Sequence, residues 1–120
     1  MSSNLIGPIT LKMNYLFVCT LNEHRSPTAE NVFKEILKER NIKGNVKSAG
    51  IDPDARNKLT SKLVRWADKI YVMEQYHREL IIKIDPNSKN KIRVLNINDF
   101  YLRNDPALVN ILKQKLKDDI

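Results

Sequence analysis

The stretch VCTLNEHRSPTAE, residues 18–30, decides how the rest of the chain is read. It carries the one cysteine of the chain, Cys19, then Arg25 after five intervening residues, then Ser26-Pro27. Upstream, Tyr15, Leu16, Phe17 and Val18 form a short continuous apolar run, the pattern of a strand buried on both faces of a parallel sheet. Downstream, Pro27 suits a first helical position with Ser26 as its N-cap. Ala29, Val32, Phe33, Ile36 and Leu37 then recur at helical spacing, and Asn41 and Gly44 end the helix. The thiol therefore stands where a strand runs out and a helix is about to begin.

Working outward, a second short strand is expected over 46–49, followed by a loop, IDPDARNKL, rich in turn residues. A helix over 60–68 and a third strand over 70–73 come next, with Trp66 and Tyr71 read as core. A helix over 76–84 is ended by Asp85-Pro86-Asn87-Ser88, and His77 on it is read as solvated. A fourth strand over 92–97 leads into the polar loop NDFYLRND. Asp105-Pro106 repeats the cap-plus-proline start, and Leu108, Val109, Ile111, Leu112 and Leu116 face the last helix inward. Strands alternating with helices predict an α/β fold: a three-layer sandwich with a four-stranded parallel sheet flanked by helices. Ligands in such sheets bind at the carboxyl ends of strands, near the point where strand order reverses. Cys19 and Asp99 both follow the carboxyl end of an expected strand, so they can meet on one edge of the sheet.

The 120 residues fit one domain over 13–120, preceded by a flexible extension over 1–12 that lacks the charge and apolar length of a signal peptide. One cysteine cannot form an internal disulfide, which fits a reducing cytoplasm, and two scattered histidines do not make a zinc site. No metal and no cofactor are expected, and no apolar run reaches the length of a membrane span. A net charge of +7 is compatible with an anionic substrate or a nucleic acid. The basic residues are spread along the chain rather than gathered into a tract, so a lysine-rich solvated surface explains them and nucleic acid is not the expected partner.

A lone cysteine at a strand end is by itself a small buried hydrophobe. Its neighbours change the reading. A loop spanning Cys19, Thr20, Leu21, Asn22, Glu23, His24, Arg25 and Ser26 can curl so that its backbone N–H groups converge beside a helix N-terminus, which makes an anion site. Arg25 adds a planar fork for two phosphate oxygens. The same field favours the thiolate of Cys19, the nucleophilic form. Attack on a phosphorus held in the nest would give a phosphocysteine that water then hydrolyses.

At these residues the chain resembles the low-molecular-weight protein tyrosine phosphatases. CTLNEHRS is similar to the phosphate loop of that family, and RSPTAE continues the match into the helix. SAG at 48–50, WADKIYVME at 66–74 and NDFY before a second ND extend it over nearly the whole chain from Met13, and a compact branch of the family resembles it most. The resemblance implies that Cys19 is the nucleophile, that Arg25 grips the phosphate, that Ser26 hydrogen-bonds the sulfur, and that Asn22 braces the loop. For Ser26 this competes with the plain N-cap role. It implies further that an aspartate after the last strand is the general acid. Asp99 directly follows the strand and puts Tyr101 where the family places an aromatic wall, whereas Asp105 is explained as an N-cap that can also assist the acid loop.

Several positions depart from the family pattern. Leu21 stands where glycine is common; a positive φ there would cost about 1–2 kcal/mol, and a negative φ would cost nothing. Phe100 replaces a proline and removes a φ constraint from the acid loop. His24 replaces a second cysteine, so no protecting disulfide can form. Glu23 lies where relatives touch the substrate: it either faces solvent or favours a cationic substrate at the rim. Tyr101 is expected to stack on an aromatic leaving group, with Ile51 and Leu102 as further rim candidates. Asp52 and Asp54 read as turn residues that could border the pocket.

The function expected is a cytoplasmic phosphomonoester hydrolase, metal-free and acting on a phosphorylated protein or small aryl phosphate, with phosphoarginine open beside phosphotyrosine. A monomer or weak dimer is expected. The alternatives are a non-catalytic phosphate- or phosphoprotein-binding module on the same scaffold, and an arsenate reductase, which with one cysteine would need an external thiol.

Overall fold

The structure, a computed structural model, describes residues 12–119. The expected extension over 1–12 falls, apart from Lys12, outside the described residues. Four strands, β1 (Met13–Cys19), β2 (Gly44–Gly50), β3 (Lys69–Val72) and β4 (Ile92–Val94), alternate with helices α1 (Arg25–Glu39), α2 (Ser61–Trp66), α3 (Gln75–Ile84) and α4 (Pro106–Leu116). The strands form one sheet in the order β2-β1-β3-β4, every pair parallel. Strand order thus reverses about β1, and the loops that leave β1 and β3 flank the crevice where ligands bind in such sheets.

Alternation along β1 explains its continuous apolar run. Tyr15, Phe17 and Cys19 face a core shared with Ala29, Val32 and Phe33 of α1 and Leu108, Leu112 and Leu116 of α4. Leu16 and Val18 face a second core with Val64 of α2 and Ile81 of α3. Burial of both faces leaves no polar position to break the pattern. Phe17 stacks on Tyr71 at 4.8 Å between ring centres, and Phe33 tilts against both. Trp66 is half-buried, with Lys47 Nζ 4.4 Å from the centre of its ring.

Several local expectations are corrected. Helix α1 begins at Arg25 with His24 at the cap position, so Ser26 lies inside the first turn and does not cap it; its hydroxyl is engaged by the sulfur and by Asn22 instead. Asn41, at φ 57°, turns the chain out of α1, whereas Gly44 opens β2. There a Cβ would lie 3.0 Å from the Tyr15 ring and 3.2 Å from Leu37, so close packing is the reason for this glycine. His77 is fully buried, not solvated. Strand β4 is shorter than expected because Asn96 adopts φ 57°, although Leu95 and Ile97 still donate to the carbonyls of Val72 and Met73. A 3-10 turn over Pro86–Lys91, capped by Asp85 on the Asn87 N–H, fills the stretch expected only to end α3. Asp105 caps α4 as expected, accepting from the Ala107 N–H at 2.9 Å.

Candidate active site

The loop from Cys19 to Arg25 is shaped from outside. The N–H groups of Ile51, Asp52 and Arg56, from the chain that leaves β2, donate to the carbonyls of Cys19, Thr20 and Leu21 at 3.1, 3.0 and 3.0 Å. In a trans peptide the N–H points opposite to the C=O. Tying three carbonyls outward therefore turns the amides of Thr20, Leu21 and Asn22 inward, and the Asn22 N–H reaches Cys19 Sγ at 3.2 Å. Gly50 makes this approach possible: a Cβ there would stand 2.6 Å from the Thr20 carbonyl oxygen and 2.8 Å from the Asn22 nitrogen. The left-handed turn falls on Asn22, at φ 57°, and Leu21 keeps a negative φ, so leucine is unstrained there.

Around the sulfur a buried polar chain is closed. Ser26 Oγ lies 3.0 Å from Cys19 Sγ. Asn22 Nδ2 donates to Ser26 Oγ at 2.8 Å and to Ser48 Oγ at 2.9 Å, and Ser48 Oγ donates to Glu30 Oε1 at 2.6 Å.

Arg25 is 1% exposed. Its Nη1 donates to Glu74 Oε2 at 2.6 Å and to the Ile97 carbonyl at 2.7 Å. A guanidinium has five N–H donors, so the Nη2 pair and Nε–H remain for a ligand. Asp99 Oδ1 is 3.7 Å from Nε on an exposed side chain. Glu74 follows β3 and His77 opens α3, so both come from the second loop of the crevice. His77 Nδ1 accepts from the Glu74 N–H at 3.0 Å, which places its proton on Nε2, 3.1 Å from Thr20 Oγ1. Burial, then the nearby Arg25 charge, lowers the His77 pKa to about 4. Tyr76 OH adds a 2.6 Å hydrogen bond to the same Thr20 hydroxyl.

A cavity of about 160 Å³ is lined by Cys19, Thr20, Leu21, Glu23, His24, Arg25 and Asp99. A larger groove, about 450 Å³ between α1 and α4, contains none of these groups. The acid loop is fastened to the start of α1: the Arg103 N–H donates to His24 Nδ1 at 3.2 Å and the Asn104 N–H to Thr28 Oγ1 at 2.9 Å.

Phe100 and Leu102 point outward, 82% and 70% exposed, whereas Tyr101 is half-buried against the core and meets the edge of the Phe100 ring. Ile51 is half-buried against the second core. Glu23 is exposed at the cavity. Asp52 accepts from the Asp54 N–H in a turn. Asp105 caps α4, away from the cavity lining. Glu74, His77, Ser48 and Glu30 had no place in the reading of the site from sequence; the switch-point rule was the one available signal for Glu74.

Three comparisons bear on this geometry. The family model described as low molecular weight phosphotyrosine protein phosphatase matches residues 14–112. A protein-arginine-phosphatase of Bacillus subtilis is 29% identical, over 69% of this chain and 70% of its own. Among solved structures, the tyrosine phosphatase Wzb of Escherichia coli K30 in complex with phosphate is 27% identical with a TM-score of 0.72, covering 89% of this chain and 95% of its own. The YwlE arginine phosphatase, as a cysteine-to-serine mutant with a phosphorylated active-site serine, is 25% identical with a TM-score of 0.70, covering 89% and 97%.

Proposed function

Since the chain belongs to the low molecular weight phosphotyrosine protein phosphatase family, and is a cysteine-dependent phosphatase of that family, we propose that it hydrolyses phosphomonoesters or phosphoramidates on proteins through a phosphocysteine at Cys19. The observation that carries this is the meeting of Cys19 and Arg25 at one small cavity, with the Asn22 N–H and the Ser26 hydroxyl on the sulfur. The phosphoryl group would lie in the nest of amides with Arg25 on its oxygens, where fixed donors offset charge in the transition state. Sulfur attacks phosphorus, the bond to the leaving oxygen or nitrogen breaks, and the Asp99 carboxyl gives that atom its proton. Water then attacks the phosphocysteine, Asp99 takes a proton from it, and the sulfur–phosphorus bond breaks to release phosphate.

The relatives include a tyrosine phosphatase and arginine phosphatases, which supports both phosphotyrosine and phosphoarginine as substrates of this type of site. Glu23 at the cavity places a carboxylate where a cationic substrate would be favoured. The test is hydrolysis of an aryl phosphate in the presence of a metal chelator by wild type and Cys19→Ser. Turnover by wild type and none by Cys19→Ser is expected; turnover that survives the substitution overturns the proposal.

A further inference from the structure

Glu30 lies on α1, outside the cavity lining, yet it ends the hydrogen-bond chain that starts at the sulfur. We infer that Glu30 is a positioning residue that, through Ser48 and Asn22, directs the Ser26 hydroxyl hydrogen onto Cys19 Sγ; the inference rests on the phosphatase reading of the site. The logic is one of donors and acceptors. A carboxylate can only accept. Ser48, 2.6 Å from Glu30 Oε1, must therefore spend its single hydrogen there and present lone pairs to Asn22. That requires the Nδ2 side of the Asn22 amide, at 2.9 Å. The second Nδ2 hydrogen then goes to Ser26 Oγ at 2.8 Å. Ser26, now an acceptor from Asn22, keeps its own hydrogen for the sulfur at 3.0 Å, in preference to the Ala49 carbonyl at 3.4 Å. With the Asn22 amide reversed, Ser26 would donate to Oδ1 and the sulfur would lose that donor. Ser48, Asn22 and Ser26 are all buried, so the links between them are shielded from bulk water, and only the outer end at Glu30 is part-exposed.

The relay and plain electrostatics predict opposite signs. Removing a negative charge should by Coulomb's law favour a thiolate. Breaking the relay should disfavour it by the worth of a charge-assisted hydrogen bond. Cys19 is the one cysteine, so the pH profile of its alkylation by iodoacetamide reports on it alone and needs no turnover. The other charged or titratable groups near the sulfur (Arg25, Glu23, His24 and Asp99 at the cavity, with Glu74 and His77 behind Arg25) are unchanged in the variants used.

Glu30→Ala and Ser48→Ala should each move the alkylation midpoint up by about one pH unit, roughly a tenfold slower reaction below the midpoint. The double variant should move it no further than either alone. Lys34→Ala, which removes the partner 2.6 Å from Glu30 Oε2 without touching the relay, should leave it in place. A downward or absent shift in Glu30→Ala, or additive shifts in the double variant, overturns the inference. Should Ser48→Ala not fold, the sign of the Glu30→Ala shift still decides, because alanine is well tolerated in a helix. Failure of the phosphatase reading would show separately, as a wild type that alkylates normally but turns over no aryl phosphate.

Discussion

Arg25 Nη1 lies 2.6 Å from Glu74 Oε2, joining the helix that follows β1 to the loop that follows β3 across the reversal point of the sheet. The guanidinium is buried, so its charge depends on this partner. Breaking one side of a buried pair costs about 3–5 kcal/mol; because Glu74 is partly exposed, Glu74→Ala should cost less, about 2 kcal/mol. Phosphate supplies a replacement anion, so millimolar phosphate should raise the melting temperature of Glu74→Ala more than that of wild type. Equal shifts in the two proteins would count against the pairing.

At Gly50 a methyl group would press on the Thr20 carbonyl and the Asn22 nitrogen. Gly50→Ala should destabilise the fold by about 1–3 kcal/mol, the usual effect of overpacking. Activity should fall at least tenfold even at temperatures where the variant is folded, since the strain is released into the phosphate loop. Circular dichroism and aryl phosphate turnover on the same sample separate the two effects.

For Asp99, the proposed acid role predicts a dependence on leaving group. Asp99→Asn should lower kcat by about 10²–10⁴-fold for a substrate with a basic leaving group. The loss should be much smaller for an activated aryl phosphate whose leaving oxygen needs no proton. A uniform loss across leaving groups would assign Asp99 to holding Arg25, 3.7 Å away, rather than to proton transfer.

His77 makes stability depend on pH. Its folded-state pKa, about 4, lies below the usual 6.5, so the unfolded chain binds the proton more readily. The stability tied to neutral His77 is fully present above pH 6.5 and falls as the pH is lowered toward about 4, by on the order of 3 kcal/mol across that window. Urea unfolding at pH 7 and pH 4.5 should show this decline in wild type and a flatter profile in His77→Gln, which keeps a donor for Thr20. An unchanged slope in the variant would place the acid sensitivity elsewhere.

Much of this molecule was legible without coordinates, for a reason of scale. Strand β1, helix α1 and the proline-started helix α4 follow from apolar spacing and capping chemistry, which act over a few neighbouring residues. Cys19 and Arg25 lie at the ends of one short loop, so their meeting was also a local matter. The misreadings at Gly44 and His77 share one cause: each residue type has a good local explanation, and each is used instead by a partner distant in sequence. Gly44 is claimed by the Tyr15 ring and His77 by Thr20, whereas the contact of Ser26 with the sulfur, which the resemblance implied, is local and is present.

Sequence alone thus determined the alternation of strands and helices and the thiol–arginine loop, because periodicity and turn chemistry are properties of neighbours. Only the tertiary structure decided that Glu74 holds Arg25 and that Ser48 links Glu30 to Asn22, since those pairs lie 49, 18 and 26 residues apart. Which distant residues become neighbours depends on strand order, and strand order is settled by how two apolar faces are covered at once.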